Sequence, residues 1–329
     1  MSKNSNERKP STHDTLAEEL KRYIQPFRAD GSQSFRLKSQ RTDETGGLDK
    51  QAASEIIERT RVRLAEMQER LYAMGHWAVL LILQGLDAAG KDSAIKHVFT
   101  GIDPQGVDVT SFKMPSTLEL HHDFLWRATL RLPERGRLGI FNRSYYEECL
   151  TLRVHRQLLA KELIPSQLVT RNVWRERFED IRAYEKHLLR NGTLILKFFL
   201  NISKEEQRKR LLDRLQEPGK RWKFSINDIA ERELWGKYLA AYQDMITNTA
   251  TKLSPWHVVP ADQKWFARVV IGSTIVSALE DLRLRYPRLD KASLQEFEKV
   301  RAALEQEGPC SAVTRASQDV QLTVWYRTS

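Results

Sequence analysis

The run His76-Trp-Ala-Val-Leu-Leu-Ile-Leu-Gln84 passes directly into Gly85-Leu-Asp-Ala-Ala-Gly-Lys-Asp-Ser93, and the join between the two decides the fold. The first stretch is a short continuous apolar run, the pattern of a strand covered on both faces, as strands of parallel sheets are. The second carries glycines that let the backbone wrap around a ligand, then a lysine at the opening of a helical pattern. Successive backbone N–H groups, a helix N-terminus and a full positive charge together attract phosphate. Strand, glycine-rich loop and helix in this order read as a P-loop. Gly85, Ala88, Ala89, Gly90, Asp92 and Ser93 are then expected around the anion, with Lys91 as its charged partner. The bland alternative is a strand-to-helix turn that binds nothing. The residue after the lysine is Asp92, where a hydroxyl is usual, and a hydroxyl comes only at Ser93. The expected magnesium ligand is therefore Asp87, within the loop, with Asp92 or Ser93 in reserve, since hard cations take oxygen ligands.

Outward from this segment the strand-then-helix rhythm repeats. Strand candidates lie at Val107 to Phe112, Leu138 to Phe141, Thr193 to Leu200 and Trp256 to Val259, separated by helical patterns. Such alternation predicts an α/β domain over 76–287, a five-stranded parallel sheet flanked by helices and carrying the P-loop. Upstream, residues 1–75 read as a polar segment with a short amphipathic stretch at Leu16, Leu20, Tyr23 and Ile24. A packing helix, Lys50 to Met74, follows and stops at Gly75. The first few residues are expected to be mobile. Beyond Pro287, residues 288–329 form a C-terminal extension with a helical stretch, Ser293 to Glu307, and a Ser/Thr-rich tail.

Two further segments carry candidate chemistry. Ile140-Phe-Asn-Arg-Ser-Tyr-Tyr-Glu-Glu148 follows the third strand and places Asn142 and Arg143 at a sheet's C-terminal edge, where ligands of open α/β folds bind. Arg143 either stabilises charge on a phosphoryl group or pairs with Glu147 and ties the helix to the sheet. The basic insertion at about 207–225 breaks at Pro218-Gly219, and Lys220, Arg221 and Lys223 then crowd around Trp222. It reads as a lid over a polyanion, or else as a solvated loop. His121-His122-Asp123 offers little as a metal site, because adjacent helical side chains point in different directions.

Composition narrows the partners. The chain has 329 residues and a formal charge of +10, which directs it toward anions: nucleic acid, nucleotides or polyphosphate. Its two cysteines, Cys149 and Cys310, suggest neither a disulfide framework nor a zinc site, and a reducing compartment is expected. The longest apolar run, Trp77 to Leu83, falls far short of the roughly 20 residues of a membrane helix. Met1 to Pro10 has no signal-peptide core, so a cytoplasmic protein without a membrane partner is expected.

From Trp77 to Pro287 the chain resembles the polyphosphate kinase 2 family, P-loop kinases that move phosphate between inorganic polyphosphate and nucleotides. The resemblance rests on Gly85-Leu-Asp-Ala-Ala-Gly-Lys91, Asp103-Pro-Gln-Gly106, Thr110-Ser-Phe-Lys-Met-Pro-Ser116 and His122-Asp-Phe-Leu-Trp-Arg127. It continues through Phe141-Asn-Arg-Ser144, Trp222-Lys-Phe-Ser225, Leu234-Trp235, Ala241-Tyr242, Pro255-Trp-His-Val-Val-Pro-Ala-Asp262 and Lys264-Trp-Phe266. Asn142 is similar to the class III branch, whose members accept both AMP and ADP. Ser93 and the extension after Pro287 depart from the family pattern.

The resemblance implies Asp87, Lys91 and Arg143 as catalytic residues, a mobile lid at Lys220 to Lys223, magnesium dependence, and a homo-oligomer, dimer or tetramer. The implied reaction moves the terminal phosphoryl group of polyphosphate to ADP, and to AMP by class, giving ATP reversibly. Alignment and charge neutralisation would drive it, since an ionised phosphate needs no strong base. Two rivals stand beside this reading. One is an ATP-dependent nucleoside or nucleotide kinase, told apart by its donor. The other is a basic nucleic-acid-binding protein, told apart by tight binding with a steep salt slope. No recognisable nucleic-acid-binding motif supports the latter, and nucleic acid is not expected as a partner.

Overall fold

Strands β1 (Arg28–Ala29), β2 (Ala78–Gln84), β3 (Val107–Ser111), β4 (Leu138–Asn142), β5 (Thr193–Asn201) and β6 (Trp256–Pro260) build one sheet in the order β1-β6-β5-β2-β4-β3. They are seen in a computed structural model that describes residues 12–306. The five strands expected from sequence all form, and every pairing among them is parallel. The sixth, β1, corrects the expected count. It adds two residues antiparallel to the β6 edge, a segment too short to carry any periodic signal. Strand β2 is buried along its whole length between β4 and β5, which explains its unbroken apolar sequence.

Helices flank this sheet in two layers. One contains Lys50–Met74, Lys91–Val98 and Lys264–Asp281, joined by Thr12–Ile24 from the N-terminal segment. The other contains Glu147–Val154, Val173–Arg190 and Trp235–Thr249. The Lys50–Met74 helix has the bounds its sequence predicts. Asp49 caps it by accepting from the Ala52 N–H at 2.8 Å, and Gly75 closes it in the left-handed conformation at φ 62°. Leu16, Leu20, Tyr23 and Ile24 are all buried, so the amphipathic N-terminal stretch belongs to this core. Beyond the basic insertion two helices follow in succession, Asn227–Glu233 ending at Leu234 and Trp235–Thr249 beginning directly after it. The chain divides after Tyr286, and the unit from Pro287 onward contributes the helix Lys291–Gln306. The first residues expected to be mobile, the Ser/Thr-rich tail and Cys310 lie outside the described residues.

A charged network is sealed inside the second helical layer. Lys197, at 0 % exposure in the middle of β5, donates to Glu185 at 2.7 Å, to the Thr249 carbonyl at 2.8 Å and to the Tyr146 hydroxyl at 3.2 Å. Glu185 also accepts from the hydroxyls of Tyr145, Tyr146 and Ser254. All three protons of the ammonium and both oxygens of the carboxylate have partners, the condition under which a buried ion pair is tolerated.

Removing one partner leaves the other charge buried and alone. Lys197→Met is therefore expected to destabilise the protein by about 3–5 kcal/mol in urea titrations followed by tryptophan fluorescence. Adding Glu185→Gln should recover part of that loss, and a double variant no more stable than the single would contradict the pairing.

Candidate active site

Strand β2 ends at Gln84, and the chain turns at once into the glycine-rich loop. A Cβ on Gly85 would lie 3.1 Å from the Leu200 carbonyl, tighter than an ordinary contact, so glycine lets the loop rest against β5 without pushing that backbone aside. Ala88 takes the left-handed conformation at φ 61°, the Ala89 N–H closes a turn on the Leu86 carbonyl at 3.1 Å, and Gly90 at φ 106° opens the Lys91–Val98 helix. Lys91 folds back over this loop, its Nζ donating to the carbonyls of Gly85 at 2.6 Å and Leu86 at 3.3 Å. Burial, reinforced by the positive charge of Arg143, pulls its pKa down to about 8.

Strand β4 delivers the second loop to the same place. Leu83 pairs with Asn142, and the Arg143 N–H continues beyond the ladder to the Leu83 carbonyl at 3.0 Å. Arg143 sits at φ 64°, a left-handed conformation that non-glycine residues seldom adopt and that concentrates at functional sites. Its Nη2 donates to Asp87 at 2.7 Å, and its Nη1 lies 3.7 Å from Glu147. Arg143 therefore pairs with Glu147, as one of its two sequence readings expects, and it also faces the P-loop through Asp87. Glu147 raises its pKa most, with Asp87 adding to the effect. Asn142 Nδ2 donates to Asp92 at 2.6 Å, and Arg268 donates to the Ser93 hydroxyl at 3.2 Å.

Two cavities meet at Arg143 and Glu147. One, about 40 Å³, is lined by Gly85, Asp87, Gln207, Asp228, Tyr238 and Tyr242 besides these two. The other, about 110 Å³, opens toward Phe112, Met114, Pro115 and Leu120. Charge gathers at the first and apolar surface at the second, an arrangement suited to a phosphate chain joined to a flat ring. Arg127 and Glu148, paired at 2.6 Å and both buried, border the apolar cavity, and burial pushes the Glu148 carboxyl up to about 7.

The fold thus unites Gly85, Asp87, Lys91, Asp92, Asn142 and Arg143, with Ala88, Ala89 and Gly90 in the loop between them. The lid cations stand apart: Lys220, Arg221 and Lys223 are exposed and line neither cavity. Arg221 donates to the Leu215 carbonyl at 2.9 Å, and the Lys223 ammonium lies 5.0 Å from the Trp222 ring centre. His122 stacks on Trp126 at 3.8 Å. Among the described residues no group of three His, Cys, Asp or Glu side chains gathers as a metal site. Cys149 is buried and its thiol pushed up to about 12.

Sequence reasoning missed Gln207, Tyr238, Tyr242 and Glu148. Ala241-Tyr242 recurs among the family motifs without an assigned role. Gln207 and Glu148 lie among other charged or polar residues, where only burial sets them apart.

The family model described as polyphosphate kinase 2 matches residues 47–286. The ADP-polyphosphate phosphotransferase of Rhodopseudomonas palustris is 50% identical over 248 residues, covering 75% of this chain and 86% of that protein. The AMP/ADP-polyphosphate phosphotransferase of Meiothermus ruber is 43% identical over 272 residues, 82% of this chain and 98% of the relative. Among solved structures, polyphosphate kinase 2 from Arthrobacter aurescens superposes with a TM-score of 0.76 at 38% identity, covering 86% of this chain and 96% of that one.

Two outcomes follow from the geometry. Because Lys91 loses its proton near pH 8 in the free protein, kcat/KM for a phosphate substrate should fall as pH rises through that value. A profile flat from pH 7 to 9.5 would deny Lys91 its charge role. Asn142→Asp sets a second carboxylate against Asp92, where the amide now donates at 2.6 Å, and should lower both Tm and activity. Exchanging the partners in Asn142→Asp/Asp92→Asn restores a donor and an acceptor, so melting and rate should recover together.

Proposed function

The chain belongs to the polyphosphate kinase 2 family, and from that membership we propose that it transfers the terminal phosphoryl group of polyphosphate to ADP and AMP, forming ATP. The observation that carries this reading is the meeting of P-loop and second loop across the Asp87–Arg143 contact, with Lys91 beneath it. An ATP-dependent nucleoside kinase and a nucleic-acid binder are disfavoured, since both relatives carry polyphosphate phosphotransferase names.

In this reading Lys91 exchanges its contacts with the Gly85 and Leu86 carbonyls for phosphate oxygens, which keeps it charged while substrate is bound. Arg143 turns from Asp87 toward the group in transfer, its guanidinium matching the phosphoryl oxygens better than a point charge would. Neither residue moves a proton, because the acceptor is already ionised; alignment and neutralisation lower the barrier. The apolar cavity beside Phe112 and Met114 takes the nucleobase, and Asn142 holds the P-loop helix through Asp92.

Magnesium is the metal we assign. Asp87 at the loop mouth, its side chain 32% exposed, would hold it, with Asp92 nearby. One or two carboxylates completed by substrate phosphates form a donor set typical of that ion. When bound, the metal neutralises phosphate charge. Closure of Lys220, Arg221 and Lys223 over the polyphosphate chain, a homo-oligomeric assembly and a cytoplasmic location complete the proposal. No described helix is long and apolar enough to cross a membrane.

The test is product analysis with magnesium, polyphosphate and AMP, ADP or GDP: ATP from ADP supports the reading, and transfer from ATP alone would replace it. Asp87→Asn should demand more magnesium for half-maximal rate; an unchanged titration moves the metal to Asp92 or Ser93. Replacing Lys220, Arg221 and Lys223 by glutamine should raise the polyphosphate KM and flatten its salt dependence, because exposed charges are screened over about 8 Å at physiological ionic strength. Identical KM values and salt responses would make this segment a solvated loop.

A further inference from the structure

Outside the residues already assigned, the most completely satisfied side chain near the P-loop is Arg210, on the helix Lys204–Gln216. Its side chain is 5% exposed. Nη1 donates to the carbonyls of Ala88 at 3.1 Å and Ala89 at 2.9 Å. Nη2 donates to those of Ala261 at 2.6 Å and Asp262 at 3.0 Å, and Nε donates to Glu206 at 2.8 Å. A guanidinium has five N–H donors, and all five are used. One turn earlier Gln207, also buried, donates to the Asp87 carbonyl at 2.9 Å.

Three consecutive P-loop carbonyls, those of Asp87, Ala88 and Ala89, are therefore tied to a single helix face. In a trans peptide the C=O and the following N–H point in opposite directions, and the chain has no cis bonds among the described residues. Drawing these carbonyls to the helix turns the N–H groups of Ala88, Ala89 and Gly90 the other way. The Ala89 N–H closes the turn on Leu86, while those of Ala88 and Gly90 have no backbone partner among the described residues. Ala88 is also the loop residue in the left-handed region, a conformation that surrounding contacts must hold.

We propose that Arg210 and Gln207 are positioning residues that set the peptide planes of the P-loop for phosphate before substrate arrives. The inference rests on the P-loop reading above. It also links that loop to the lid, because the helix bearing the clamp runs directly into Pro218–Lys223. Lysine cannot replace Arg210: three donors on a flexible stem cannot satisfy four carbonyls on two loops together with Glu206.

The experiment compares Arg210→Lys, Arg210→Ala and Gln207→Met with wild type in the full chain. Steady-state kinetics are measured with polyphosphate and ADP, and binding of magnesium pyrophosphate by calorimetry. Arg210→Lys should raise KM for both phosphate substrates at least tenfold, weaken pyrophosphate by a similar factor and change kcat less. Millimolar methylguanidinium should restore part of the binding lost in Arg210→Ala, and the raised KM with kcat changed less is the split that a merely structural role would not give. Wild-type pyrophosphate affinity in Arg210→Lys would overturn the proposal. Should the Arg210 variants fail to fold, Gln207→Met decides: a severalfold weaker pyrophosphate affinity supports the clamp, and an unchanged affinity refutes it. A wild-type protein that makes no ATP from polyphosphate would count against the proposed reaction instead, and the pyrophosphate comparison would still judge the clamp.

Discussion

The parallel pairing of β4, β2 and β5 is the constraint on which the site depends. Leu83 lies opposite Asn142 on one side of β2, and Gln84 lies opposite Phe199 on the other, so β2 and β4 end within a residue of each other while β5 runs on beside the loop to Asn201. A side chain placed just past that level converges with its neighbours without any long connection. Asp87, Lys91 and Arg143 reach one another for this reason. Both faces of β2 and β4 are buried, so a slip of one residue would send every side chain to the opposite packed layer, and the fit of those layers holds the register and with it the site.

Electrostatics in the described state are balanced internally. Arg143 answers Asp87 and Glu147, and Lys91 rests on carbonyl oxygens. Lys91 and Arg143 each have a protein partner, which in the proposed reaction a phosphate displaces, and this spares the fold an uncompensated buried charge when the site is free of substrate. The same arrangement limits affinity, because part of every new contact replaces an old one. An enzyme that must release a nucleotide after each transfer benefits from such an exchange.

The sequence was most legible where function is local. Glycine spacing, a buried strand and one lysine define the P-loop within a single stretch, and the five parallel strands announce themselves by alternation with helices. Legibility fell where function depends on contacts between distant segments. Arg210 sits in Lys-Glu-Glu-Gln-Arg-Lys-Arg, where it looks like any residue of a solvated basic face, and only its burial against Ala88 and Asp262 reveals otherwise. Arg143 admitted two readings because a guanidinium at a strand end can face both a neighbouring helix and the P-loop, and here it contacts Glu147 and Asp87 together. Strand β1, two residues long, is held by its neighbour and not by its own composition.

The Glu185 carboxylate has a bearing on how the active site comes into being. Its partners lie on β5, on the turn before β6 and in the second loop beside Arg143, separated along the chain by 12, 69 and about 40 residues. None of those segments can satisfy it alone, and a buried carboxylate left half-satisfied is costly. The loop carrying Arg143 is thereby bound to the completion of the whole sheet. The arginine that faces the phosphate cradle thus owes its place to packing outside the cradle itself, and a substitution at the Glu185 cluster would reach the site through its scaffold.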